Sequence, residues 1–289
     1  MKKYDTGKSS ITSDECVSVQ SEARQLLNKV PEITIFFWII KVLATTIGET
    51  AADFLNTNLN VGLIITTFIM SGLLIVALFF QFKSKKYVPS IYWLAVVLIS
   101  VVGTLITDNL SDNFRVPLTV TTTIFLIALI VTFAVWYANE KTLSIHSIIT
   151  TKREAFYWLA ILFTFALGTA AGDLMAERLD VGYWKSAAMF ATMIGMVAIA
   201  FYRFRLNSVV AFWAAYILTR PLGASLGDFL SQSHRAGGLA FGTVDTSAIF
   251  SITILSMVIF LTITKRDQGP VAENIGQVIT SDDTQTGRD

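Results

Sequence analysis

Residues Phe37–Gly62 read FWIIKVLATTIGETAADFLNTNLNVG, and the same frame returns at Tyr92–Pro117, Tyr157–Gly182 and Phe212–Gly237. In each copy an aromatic residue precedes a tryptophan: Trp38, Trp93, Trp158 and Trp213. A glycine stands ten residues beyond the tryptophan (Gly48, Gly103, Gly168, Gly223), and an aspartate five beyond the glycine (Asp53, Asp108, Asp173, Asp228). A helix-starting residue follows nine later: Gly62, Pro117, Gly182 and Gly237. The frame [FY]-W-x9-G-x4-D-x8-[GP] occurs four times without an internal gap, so the chain is four copies of one unit. The tryptophans are 55, 65 and 55 residues apart, which groups the copies into two tandem pairs.

The unit is a membrane unit. Of 289 residues, 53% are hydrophobic and 15% charged, with a mean hydropathy of +0.60; an ordinary soluble domain has about a quarter of its residues charged. Eight apolar runs reach the ~20 residues that a spanning helix needs: 33–56, 61–82, 91–111, 116–138, 155–176, 181–203, 207–230 and 240–264. Their continuous apolarity is helical and lacks the alternation of a barrel strand. The expected fold is an all-α polytopic membrane protein of eight transmembrane helices, arranged as four parallel two-helix repeats. Each helical hairpin returns the chain to its starting side, so the copies are parallel, unlike the inverted repeats of many transporters. Pseudo-fourfold or nested twofold closure is the natural arrangement, and it is compatible with a homo-oligomer.

Lys/Arg asymmetry sets the orientation. One side carries Arg24 and Lys29; Lys83, Lys85 and Lys86; Lys141, Lys152 and Arg153; Arg203 and Arg205; Lys265 and Arg266. The other carries Arg115, Arg178 and Arg235. Both termini are therefore expected in the cytoplasm. The organisation predicted is a tail (1–31) with an amphipathic interfacial helix or a disordered stretch over 13–30, a first membrane half (32–139), a connecting loop (140–154), a second half (155–264) and a disordered tail (265–289). The lone Cys16 and the two histidines, His146 and His234, leave no disulfide framework, zinc finger, iron–sulfur site or haem pair. No cofactor is expected. A net charge of +1 without a basic patch leaves no nucleic-acid partner, and no nucleophile–base pair or phosphate loop marks an enzyme.

Depth follows from a rise of ~1.5 Å per residue. With the aromatic–Trp pair at the inner interface as a belt anchor, the glycine lies roughly 15 Å higher and the aspartate roughly 22 Å higher, still inside its helix. The glycines read as close helix contacts, with small neighbours Thr46, Thr104, Thr169 and Ala224. A carboxylate in the hydrocarbon costs about 2.5–3.5 kcal/mol. Two readings of the four aspartates stand: a converging acidic layer for a cation or proton, or structural caps on the first amides of neighbouring even-numbered helices.

Departures from the repeat point to a specific site. Glu49 occurs in the first unit alone, one helical turn before Asp53. Arg220 occurs in the fourth alone, before Pro221 and about 10 Å into the core, too deep to reach water, so it needs a carboxylate or a wet cavity. Glu49, which also has no symmetry mate, is its expected partner, with a repeat aspartate or a water-filled cavity as the alternatives. Lys41 is expected to snorkel inward and Lys185 outward, Lys185 having a salt bridge to an aspartate as its alternative. The segment Leu226-Gly227-Asp228-Phe229 resembles the Gly-Asp segment of intramembrane aspartyl proteases, but Ser225 replaces the first glycine of their Gly-x-Gly-Asp.

The segments KVLATTIGETAAD (Lys41–Asp53) and LGTAAGDL (Leu167–Leu174) resemble a family of bacterial multi-pass membrane proteins built from a repeat of unknown function. The resemblance spans residues 33–264 and implies a bacterial inner-membrane protein. The leading expectation is a transporter or channel-like carrier for a small cation, a divalent metal or a proton-coupled solute, in the lipid bilayer. Glu49, Asp53, Asp108, Asp173 and Asp228 would bind it, with Arg220 and Lys185 as charged neighbours. The alternatives are a non-transporting scaffold and an intramembrane aspartyl protease.

Overall fold

A computed structural model describes residues 28–58 and 62–267. All but the last three residues of the predicted N-terminal interfacial helix, which are not helical, and all but the first residues of the predicted C-terminal tail lie outside the described residues. Eight long helices carry the fold: α1 (Ile35–Asp53), α2 (Leu63–Lys83), α3 (Pro89–Asp108), α4 (Leu118–Glu140), α5 (Thr151–Asp173), α6 (Tyr183–Phe204), α7 (Ser208–Ser231) and α8 (Thr243–Thr264). All eight are long and apolar enough to cross a membrane, and no strand occurs among the described residues. This is a multi-pass membrane protein.

The two classes of helix differ in surroundings. Of the most apolar stretch in each odd-numbered helix, 56–67% is buried, against 11–22% in the even-numbered ones. Helices α1, α3, α5 and α7 form a closed ring in that order, each packed on the next and α7 on α1. The even helices clad the ring. Each packs chiefly on the odd helix of the following unit: α2 on α3, α4 on α5, α6 on α7, and α8 back on α1. The sequence unit is therefore not a packed hairpin; each unit interlocks with the next around a pseudo-fourfold axis.

The repeated residues make these joints. A methyl group at Gly103 would stand 2.7 Å from Phe165 Cβ. Equivalent groups at Gly48, Gly168 and Gly223 would strike Ser100, Arg220 and Thr45. Each glycine thus meets the residue three positions before the next unit's glycine, which lets the ring helices touch along the axis. One layer nearer the termini, each first aromatic packs on the tryptophan of the next unit: Phe37 on Trp93 (5.7 Å between ring centres), Tyr92 on Trp158 (5.5 Å), Tyr157 on Trp213 (6.2 Å) and Phe212 on Trp38 (5.9 Å). The belt-anchor reading of the tryptophans is corrected here. Trp93, Trp158 and Trp213 are buried, because the aromatic pair closes the joint between units rather than resting at the lipid interface.

The three first units carry a five-residue π-helical turn after the aspartate (Phe54–Asn58, Asn109–Asn113, Leu174–Arg178). Gly62 and Gly182 then start the next helix at φ +84° and +83°, a conformation that favours glycine. The fourth unit departs. Helix α7 continues to Ser231, and α8 begins after Gly242 (φ +82°), not after Gly237, which instead ends a 3-10 turn. The longer Gly-rich loop moves the start five residues along.

At the opposite end, where residues 28–34 and 265–267 meet, Glu32 N–H donates to the Asp267 carbonyl (3.0 Å) and Tyr87 donates to the Asp267 carboxylate (2.5 Å). Burial pushes the Asp267 carboxyl above its ordinary range, and the Tyr87 hydrogen bond opposes that. A buried Lys29–Glu154 pair (2.7 Å), joined by Gln81 (3.1 Å), ties the first described residues to α5.

Candidate functional site

The four ring helices bring one residue each to the position after the repeat glycine: Glu49, Thr104, Thr169 and Ala224. Three of these meet at Arg220, which is fully buried. Arg220 Nη2 donates to Glu49 Oε2 (2.9 Å), to Thr169 Oγ1 (2.6 Å) and to Thr104 Oγ1, and Nη1 donates to the Thr45 carbonyl (3.2 Å). Thr104 also donates to Glu49 (3.4 Å) and shares a hydrogen bond with Thr169 (3.3 Å). The fourth position is filled by Ala224 on the arginine's own helix, which is buried. The two residues that break the repeat, Glu49 and Arg220, are thus joined between the adjacent ring helices α1 and α7, as their shared lack of symmetry mates suggested.

Directly beyond this layer lie the aspartates, each at the last α-helical turn of its ring helix. Carboxylate oxygens of Glu49, Asp173 and Asp228 lie within 4.8 Å of one another, contributed by α1, α5 and α7. Asp53 accepts from Gln232 Nε2 at 3.5 Å. Asp108 lies within electrostatic reach of Glu49, Asp173 and Asp53. Asp228 is buried, whereas Asp53, Asp108 and Asp173 are half-buried. Among the described residues, Asp108, Asp173 and Asp228 accept no hydrogen bond from the first amides of an even-numbered helix, and Gly62, Pro117, Gly182 and Gly242 cap those helices without a side-chain bond. The capping role considered for the aspartates is not what positions these three.

One lysine expectation differs from the structure. Lys41 does not snorkel: it is fully buried, and its Nζ stands 3.9 Å from the Phe165 ring centre and 4.1 Å from that of Tyr216. The cause is the aromatic layer. Trp38 belongs to the joint inside the bundle, so a residue one turn beyond it faces the axis rather than the interface. Lys185 is exposed on the first turn of α6, in keeping with the outward reading, and is not brought to the acidic cluster. Thr104 and Thr169 were missed as arginine ligands. Their shared repeat position with Glu49 was the available signal.

The arrangement is a cup of carboxylates at one end of the axis, floored by a buried arginine and, below it, by aromatic rings. The carboxylates supply hard oxygen donors of the kind that bind divalent cations or protons, and Glu49, Asp173 and Asp228 are those close enough to share one ion. No curated protein and no solved structure matches the chain. A family model described as Repeat of Unknown Function (DUF347) matches residues 36–87, 91–142, 156–207 and 211–267, one match for each unit of the ring, and the chain belongs to that family.

Proposed function

We propose that the protein is a carrier for a small cation, a divalent metal or protons coupled to a solute, which enters the acidic cup and is held by Glu49, Asp173 and Asp228. The observation that carries this reading is the meeting of three carboxylates from three different helices within 4.8 Å. Placing like charges together is costly unless a cation or proton offsets them, and symmetry alone does not require Glu49 there. A carrier fits better than an open channel, because Arg220 and the aromatic layer fill the axis beneath the cup. A fixed positive charge would repel a cation passing straight through, so passage requires Glu49 to leave Arg220 for the cation or for a proton. A second reading, a non-transporting scaffold, is favoured by that same filled axis. The proposed site of action is a bacterial inner membrane, with the acidic end facing away from the cytoplasm; the Lys/Arg asymmetry supports the orientation.

Flux into proteoliposomes separates the two readings. Vesicles holding the protein should accumulate Mn²⁺ or Zn²⁺, or show coupled proton movement, faster than protein-free vesicles. Asp173→Asn should reduce that rate at least ~tenfold, as expected when one charged ligand of a shared ion is lost. Wild-type rates equal to those of empty vesicles for all the cations would overturn the carrier.

A further inference from the structure

Beneath the Arg220–Glu49 pair the axis holds a second cation with nothing to answer it. Lys41 Nζ is fully buried and has no hydrogen-bond partner among the described residues. Its repeat mates are Val96, Ile161 and Tyr216, so no carboxylate stands at its level. Two further buried donors nearby are unpartnered: Arg220 Nε and the Tyr216 hydroxyl. They belong to one neighbourhood. Lys41 Nζ lies over the Tyr216 and Phe165 rings, Arg220 lies 5.6 Å from the same Phe165 ring, and Tyr216 and Arg220 are one turn apart on a single face of α7.

We propose that Lys41 Nζ, Arg220 Nε and the Tyr216 hydroxyl bind a small monovalent anion of the halide class, on the axis between the arginine layer and the aromatic floor. Protonated lysine and arginine can only donate, and the tyrosine hydroxyl has its proton to offer, so the set calls for an acceptor. The formal charge calls for an anion. Glu49 answers Arg220, so a protonated Lys41 is a surplus of one positive charge deep in the bundle, a costly state that a bound anion would offset. The two ring faces offset part of that cost but accept no further N–H bond. Water would satisfy the donors and leave the charge; a doubly charged oxyanion would overshoot it and be stripped of water against aromatic walls.

The test uses the full chain in detergent, purified throughout in chloride, bromide or gluconate at constant ionic strength. Thermal unfolding is followed by tryptophan fluorescence. The midpoint should rise saturably with chloride and bromide and not with gluconate. Lys41→Met should abolish the halide response, and Tyr216→Phe should raise the half-saturating concentration roughly tenfold, the usual effect of one lost hydrogen bond to a charged group. A wild-type midpoint indifferent to the anion overturns the site, which is also the outcome expected if water alone fills it. So does a full halide response retained in Lys41→Met. If that variant does not fold, an unchanged half-saturation in Tyr216→Phe overturns it instead.

Discussion

One guanidinium is the meeting point of all four ring helices. Arg220 on α7 touches Thr45 and Glu49 on α1, Thr104 on α3 and Thr169 on α5. Removing one member of a buried pair leaves the other charge without its partner, at a cost of about 3–5 kcal/mol, whereas removing both is far milder. Arg220→Met should therefore lower the unfolding midpoint in detergent sharply, and Glu49→Gln combined with Arg220→Met should recover part of the loss. Effects that simply add would show that the pair is not coupled. The pairing was legible because both residues break the repeat and neither has a symmetry mate. Lys41 was not legible in the same way. Its spacing from Trp38 is correct for an interfacial residue if the tryptophan sits at the interface, and only three-dimensional packing reveals that it does not. Nor does one-dimensional spacing tell which aspartates converge. All four share a register, yet Asp173 and Asp228 lie close to Glu49 while Asp53 leans to Gln232.

Between helices, the repeat glycines carry the contact. At Gly103 an added methyl would stand 2.7 Å from Phe165 Cβ and 3.2 Å from the Ala166 backbone nitrogen, so neither neighbour can swing away. Gly72 on α2 and Gly195 on α6 have open space at the same position. Gly103→Ala should therefore destabilise by about 1–3 kcal/mol, the ordinary cost of overpacking, while Gly72→Ala should be neutral or slightly stabilising, since alanine favours a helix more than glycine does. Denaturation of the two variants side by side checks this, and equal effects would mean that the ring joints tolerate expansion. Helix existence and approximate limits were readable from apolar length, because the bilayer fixes how long a spanning element must be. The start of α8 was not. A second glycine five residues on, Gly242, offers the same positive φ as Gly237, and the repeat frame cannot choose between them. The packing of even helices on the next unit was also hidden, because hydrophobicity that faces lipid and hydrophobicity that faces a neighbouring helix are the same in sequence.

For the whole molecule, parallel repeats place every aspartate at one end and residues 28–34 and 265–267 at the other. With the basic loops inside, reporter fusions at Ser84, Thr142 and Asn207 should read cytoplasmic, and fusions at Asn113, Asp180 and Ser233 should read external. A reversed second half would contradict the observed ring, because α3 and α5 could then no longer pack with their glycine layers at one depth. The interlock has a bearing on biogenesis. A ribosome delivers α1 first and α8 last, yet α8 is the helix that clads α1. Throughout synthesis the opening helix, carrying Lys41 and Glu49, waits in the bilayer without its outer cover. Arg220, the counter-charge to Glu49, emerges only with the seventh helix. Insertion is thus a vectorial process in which Glu49 meets its counter-charge only with the seventh helix, and the newborn chain must shelter its early ionisable residues, against the insertion machinery or with lipid and water, until the final hairpin closes the circle.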